Sequence, residues 1–176
     1  LMDVDNLNSE NIMRRISVGK VVINIGVGKS GEPVERAKHG LEDLTGKIPT
    51  VTTAKKNFRD FGIHQGEPIG AMVTLRRKDA TDFLKRCLEA KGNKMNINSF
   101  DDYGNISIGI REHIDIPGTK YNPDIGIFGM NVCVSLVRPG YSISKKRGKS
   151  RIGKGHRIRK DGAMEFFTNG FGVEIS

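Results

Sequence analysis

The sequence predicts an α+β fold, an antiparallel-rich sheet with helices packed on one face. Three observations carry this. Two segments, Ser30–Gly46 and Asp79–Lys91, repeat apolar residues at helical spacing. Five others form strand-length runs rich in β-branched or alternating apolar residues. Several of those strands follow one another without a helix between them, which makes a doubly wound parallel sheet hard to build.

Val18–Gly28 is β-branched and bounded by glycines, so it reads as a strand with Val21, Ile23 and Ile25 on one face and Val22 and Asn24 on the other. A helix over Ser30–Gly46 has Pro33 in its first turn, Glu32 and Glu35 at its positive end, and Gly46 at its stop. Its core stripe is Val34, Ala37, Leu41 and Leu44. Pro49–Lys56 predicts a short strand running into a basic loop, and Ile69–Arg76 a further strand. Asp79 is the expected N-cap of a second helix, ended by Gly92, with Phe83, Leu84, Cys87 and Leu88 facing the core. Asp101–Asn105 carries turn chemistry. Asn105–Ile110 alternates strictly, and His113–Ile116 would extend that strand up to Pro117. Met130–Arg138 is the next strand, Asp161 the expected cap of a short terminal helix, and Phe171, Val173 and Ile175 a final apolar stub.

The formal net charge of the 176 residues is +9. It resides in Ser144–Lys160, which holds Lys145, Lys146, Arg147, Lys149, Arg151, Lys154, Arg157, Arg159 and Lys160 and no acid, so the rest of the chain is neutral. A basic stretch on a neutral body points to a polyanion, nucleic acid first and an acidic membrane second. No amphipathic basic helix with an aromatic face supports the membrane reading. The expected organisation is an N-terminal extension (1–15), an α+β domain (16–143), a basic loop (144–160) and a C-terminal helix and stub packing on the domain (161–176). Such a loop has too few apolar residues to build a core and should order on meeting phosphates. Two cysteines cannot make a disulfide framework, which fits a reducing, cytosolic setting. The polar residues Met2–Asn11 do not resemble a signal peptide, and no apolar run approaches the roughly 20 residues of a membrane span.

Gly26-Val27-Gly28-Lys29-Ser30-Gly31 matches a dinucleotide-binding pattern in the right strand-to-helix context and ends like a phosphate-binding loop. A nucleotide-dependent enzyme is therefore the rival reading. Ile23 stands where a phosphate loop needs glycine, and the second strand ends in Lys55-Lys56 rather than an acid. A glycine-rich turn is the simpler account. Asn24 is unusual in a strand, and its amide can donate and accept toward a base or ribose or merely be solvated. Thr53–Gly66 interleaves Lys55, Lys56 and Arg59 with Phe58 and Phe61. The rings either receive unstacked bases or plug the core. His64 with Glu67, and Asp101 with Asp102, lack a nucleophile or orienting group, so no catalytic residue is expected; nor is any metal or cofactor.

The strings VVINIGVG (Val21–Gly28), LEDLTGKIPTVTTAKKNFRDFGI (Leu41–Ile63), GEPIGAMVTLR (Gly66–Arg76), SFDDYGNISIGIREHIDIPG (Ser99–Gly118) and IGIFGMNVCV with RPG (Ile125–Val134, Arg138–Gly140) resemble one family. It is the large-subunit ribosomal protein five family, which binds 5S ribosomal RNA, in its archaeal and eukaryotic branch. The resemblance implies a ferredoxin-like, RNA-recognition-like sheet with a basic C-terminal extension and no enzymatic activity. Its implied partners are 5S rRNA, large-subunit rRNA, peptidyl-site tRNA and neighbouring large-subunit proteins, with no small-molecule substrate and no membrane, in the cytoplasm. Carried over by position, the 5S face uses Asn24, Phe61 and Thr74. Lys47 stands where the family often has Gln, exchanging an amide's two-way hydrogen bonding for a charge. The loop Ala54–Phe61 would approach the tRNA elbow with Lys55, Lys56, Asn57 and Arg59. Lys145, Lys146, Arg147, Lys149 and Arg151 would meet large-subunit rRNA.

Overall fold

The computed structural model describes residues 11–148 and 150–176; residues 1–10 of the expected N-terminal extension (1–15) and the site residue Lys149 lie outside the described residues. Strands β1 (Ser17–Gly26), β2 (Thr50–Thr53), β3 (Pro68–Leu75), β5 (Asn105–Ile110) and β6 (Met130–Val137) form one sheet in the order β2-β3-β1-β6-β5, every pair antiparallel. Helix α1 (Glu32–Thr45) connects β1 to β2, and α2 (Arg77–Ala90) leads out of β3. Leaving β5 aside, β1-α1-β2-β3-α2-β6 is a ferredoxin-like arrangement, with both helices on one face of the sheet. This is the α+β class expected from the sequence.

The alternation in each strand decides which face is covered. Val21, Ile23 and Ile25 of β1, Ala71, Val73 and Leu75 of β3, Ile106, Ile108 and Ile110 of β5, and Val132, Val134 and Leu136 of β6 are all buried. They meet Ala37, Leu41 and Leu44 of α1 and Phe83, Leu84, Cys87 and Leu88 of α2; Val34 of α1 is buried as well. Burial pushes the Cys87 thiol up to about 12, past a nearby Arg86 that favours the thiolate, so this cysteine is an inert core residue.

The helix starts differ from expectation. Asp79 lies within the first turn of α2, whose N-cap is Arg76 in an extended conformation. Asp161 likewise lies inside the first turn of α3 (Lys160–Phe171), capped by Arg159. Both carboxylates still favour the positive helix end, but from inside it. His113–Ile116 does not prolong β5. Residues His113–Asp115 make a 3-10 turn, and Pro117 holds Ile116 out of the helical region. The His113 ring stacks on Phe128 at 4.1 Å, and burial lowers its pKa against the opposing charge of Glu112, so it is a neutral core histidine. Unforeseen is a second sheet of two short parallel strands, β4 (Lys94–Met95) and β7 (Glu174–Ile175), which binds the C-terminal end beside α2. Two-residue strands carry no periodicity; they exist because α3 delivers the terminus there.

Helix α3 belongs to the core. Phe167 is fully buried, 6.0 Å from Phe100 and 5.2 Å from Phe171 between ring centroids.

Candidate nucleic-acid interface

With both helices on one side, the other side of the sheet is uncovered. Strand register makes it a grid. Gly109, Asn131, Asn24, Met72 and Thr50 form one row across all five strands, and Ser107, Cys133, Val22 and Thr74 the next. Asn24 and Thr74 are thus diagonal neighbours on one face, within reach of a single bound group. The face mixes polar side chains with Met72, Val22 and Cys133 and is almost uncharged; Lys20, opposite Ser135, brings the first cation at one end. The Asn24 amide is half-buried and has no hydrogen-bond partner among the described residues, whereas Asn105 donates to Asp101 Oδ2 at 2.9 Å and accepts from Ser135 Oγ at 3.0 Å. Asn24 therefore offers a donor and an acceptor to a ligand. Asn131, its Cα partner on β6, doubles that capacity; the alternation of β6 implied its exposure, but only the pairing places it beside Asn24.

The loop after β2 is held in shape by its own backbone. Ala54 is buried; its N–H donates to Glu67 O and its carbonyl accepts from Gly66 N. Phe58 and Ile63 exchange two backbone bonds, and Asn57 Oδ1 accepts from Gln65 N at 2.6 Å. Neither aromatic plugs the core: Phe58 is 50% exposed and Phe61 75%. Lys55, Lys56 and Arg59 are exposed beside them. Asn57 spends its carbonyl on the loop, which leaves its NH2 for a ligand.

The basic segment is moored at both ends. Residues Tyr141–Lys145 and Lys154–His156 form short 3-10 turns. Tyr141 Oη donates to His156 O at 3.1 Å and accepts from Ile158 N at 2.8 Å, while His156 Nε2 donates to Pro139 O at 2.8 Å. The segment builds no core of its own, but it lends Ile158 to the domain's: that residue is 1% exposed and sits over Gly104. Between the moorings Lys145, Lys146, Arg147 and Arg151 project into solvent. Gly104 has φ +75°, and a Cβ there would lie 2.5 Å from Ile158 Cγ2. Gly104→Ala should therefore cost roughly 2–4 kcal/mol, from backbone strain and overpacking together. A urea titration measures the loss, and faster amide exchange at Ile158 would show the segment loosening; an unchanged midpoint would mean the glycine is not required.

Lys47 lies between α1 and β2, at the other end of β2 from the loop, and its ammonium is 3.1 Å from Asp79 Oδ2. Both side chains are half exposed, so the pair is weak and can be exchanged for a phosphate. The Gly26–Gly31 turn is structural: Val27 N and Gly28 N both donate to Ile69 O, at 2.9 and 3.0 Å. Those are donors a phosphate would need. Among the described residues no cluster could hold a metal ion, and no helix is long and apolar enough to cross a membrane.

β1 ends at the Ala54–Gly66 loop and begins beside Val137, from which the chain enters the basic segment. The two cationic elements thus flank the neutral grid at opposite ends. This architecture suits a protein that binds a polyanion: uncharged hydrogen-bonding groups in the middle, exposed cations outside. Residues 11–64 match the family model described as ribosomal protein L5, and residues 68–170 match the model of that ribosomal family's C-terminus. The chain is 50% identical over 169 residues to the large ribosomal subunit protein uL5 of Nitrosopumilus maritimus, covering 96% of this chain and 98% of that one. It is 47% identical over 175 residues to the uL5 protein of Sulfolobus acidocaldarius, covering 99% and 98%. The chain belongs to the ribosomal protein L5 family, a structural family without enzymatic activity. The nucleotide-dependent enzyme is thereby set aside.

Proposed function

We propose that the open sheet face binds 5S rRNA, with Asn24, Thr74 and, from the loop after β2, Phe61 as its selective contacts and Lys47 as a further contact. As an L5-family member the chain is a constituent of the large ribosomal subunit and binds rRNA. The Ala54–Phe61 loop presents Lys55, Lys56, Asn57 and Arg59 to the elbow of peptidyl-site tRNA, and the basic segment holds large-subunit rRNA through Lys145, Lys146, Arg147 and Arg151. Neighbouring large-subunit proteins complete the partners, and the setting is the cytoplasmic ribosome. The observation that carries the reading is the unpartnered Asn24 amide on an uncharged face between two cationic ends. Charge alone would bind any RNA; a fixed amide discriminates.

The test is affinity for isolated 5S rRNA against an unrelated hairpin of equal length at near-physiological salt. Clear preference for 5S rRNA is expected, and equal affinity would remove the reading. Asn24→Ala should weaken the 5S complex by about 1–3 kcal/mol, the cost of leaving a buried partner group unsatisfied. Wild-type affinity in that variant would make Asn24 a bystander.

A further inference from the structure

A groove of about 870 Å³ opens where the sheet face meets the basic segment. Lys20, Arg76, Arg138, Lys145, Arg151 and Arg157 line it, and none of its described lining residues is acidic. Six cations round one concavity without a carboxylate repel one another, a cost that an anionic occupant relieves. The Arg138 Nε–H is buried with no acceptor, although its Nη1 reaches His156 O at 3.4 Å. The His156 contact holds the part-buried Arg138 at the groove wall, and charge-assisted bonds from a guanidinium suit an oxyanion. The remaining lining is not charged. Tyr103 is 67% exposed, and its backbone N–H donates to Asp101 Oδ1 at 2.6 Å, which fixes the turn that carries the ring. Asn105 and Ser135, which end the sheet's polar face, form the floor.

We infer that this groove takes a single-stranded or unstacked segment of RNA, with one backbone phosphate clasped by Arg138 and Arg76 and one base stacked on Tyr103. The groove is continuous with the open face through Lys20 and Ser135, so a strand leaving the face enters it directly. A regular duplex keeps its bases inside and offers Tyr103 no ring face; an unstacked base does. The inference rests on the chain's being an rRNA-binding protein, but not on 5S rRNA being the RNA.

The test uses the full chain and a fluorescent twelve-nucleotide oligouridylate, beside a duplex of the same length. Arg76→Gln changes an exposed side chain that supports no packing. It should weaken oligouridylate binding several-fold and lower the slope of log K on log salt by about 0.7, one single-strand phosphate contact. Arg138→Gln should do the same, though it also loses a tether to His156, so Arg76→Gln decides if that variant is unstable. Tyr103→Ala should weaken binding roughly 5- to 100-fold with the slope unchanged, because stacking is not a charge effect. Wild-type affinity in both Arg76→Gln and Tyr103→Ala would overturn the inference, as would equal sensitivity of the duplex to Tyr103→Ala. The 5S reading is judged separately: the wild-type protein keeps or lacks its preference for 5S rRNA over the hairpin whatever these variants do to oligouridylate.

Discussion

Exchanging Lys145, Lys146, Arg147 and Arg151 together for Gln is expected to lower affinity for a large-subunit rRNA fragment by about two to three orders of magnitude near physiological salt. If each side chain meets one duplex phosphate, the slope of log K on log salt falls by roughly 3.6, about 0.9 per contact. All four are exposed and lie between the moorings, so the melting temperature should stay where it was. An unchanged slope on a fragment that contains the docking site would mean that these charges are only solvated. Removing Lys145–Lys160 outright is the weaker experiment. That deletion takes Ile158 out of the core and breaks the Tyr141–His156 lock, so lost affinity would be confounded with lost folding.

Phe167→Ala is expected to cost about 3–5 kcal/mol, the usual penalty for emptying a fully buried aromatic site. A domain of this kind has roughly 5–15 kcal/mol in total, so the variant should be visibly less stable in a denaturant titration. The ring's neighbours are Phe100, Phe166 and Phe171, all with centroids within 6.0 Å. A loss below about 1 kcal/mol would mean that α3 is an appendage that the core can do without.

What could be read in the sequence followed a simple division. Wherever a feature depends on periodicity within one segment, the residues announce it. The buried stripes of α1 and α2, the inward isoleucines of β5 and the two faces of β1 all sit where alternation or helical spacing puts them. Features that depend on distant residues were not legible in this way. The Tyr141–His156 lock joins groups fifteen residues apart through a hydroxyl and a carbonyl. Ile158 looks like a stray apolar residue among cations until Gly104 is brought under it. Strand β4 needs β7, and β7 needs α3. Asn24 is intermediate: its face was evident from alternation, but its neighbour Asn131 and its lack of a partner are properties of the assembled sheet. The Phe58 and Phe61 question could only be answered by seeing that Ala54, a small residue, provides the loop's buried anchor instead. Net charge named the kind of partner yet pointed away from the uncharged face that carries Asn24.

The placement of the two cationic elements at opposite ends of β1 has a dimensional consequence. Ten residues at about 3.3 Å each make the strand roughly 30 Å long. Electrostatic influence in the cell decays over about 8 Å. Several decay lengths separate the ends, so a phosphate captured at one is hardly felt at the other, and each can be occupied without weakening its counterpart. Between them lies a hydrogen-bonded sheet that does not stretch. The protein behaves as a gauge block: strand length sets the gap between whatever is gripped at its two ends.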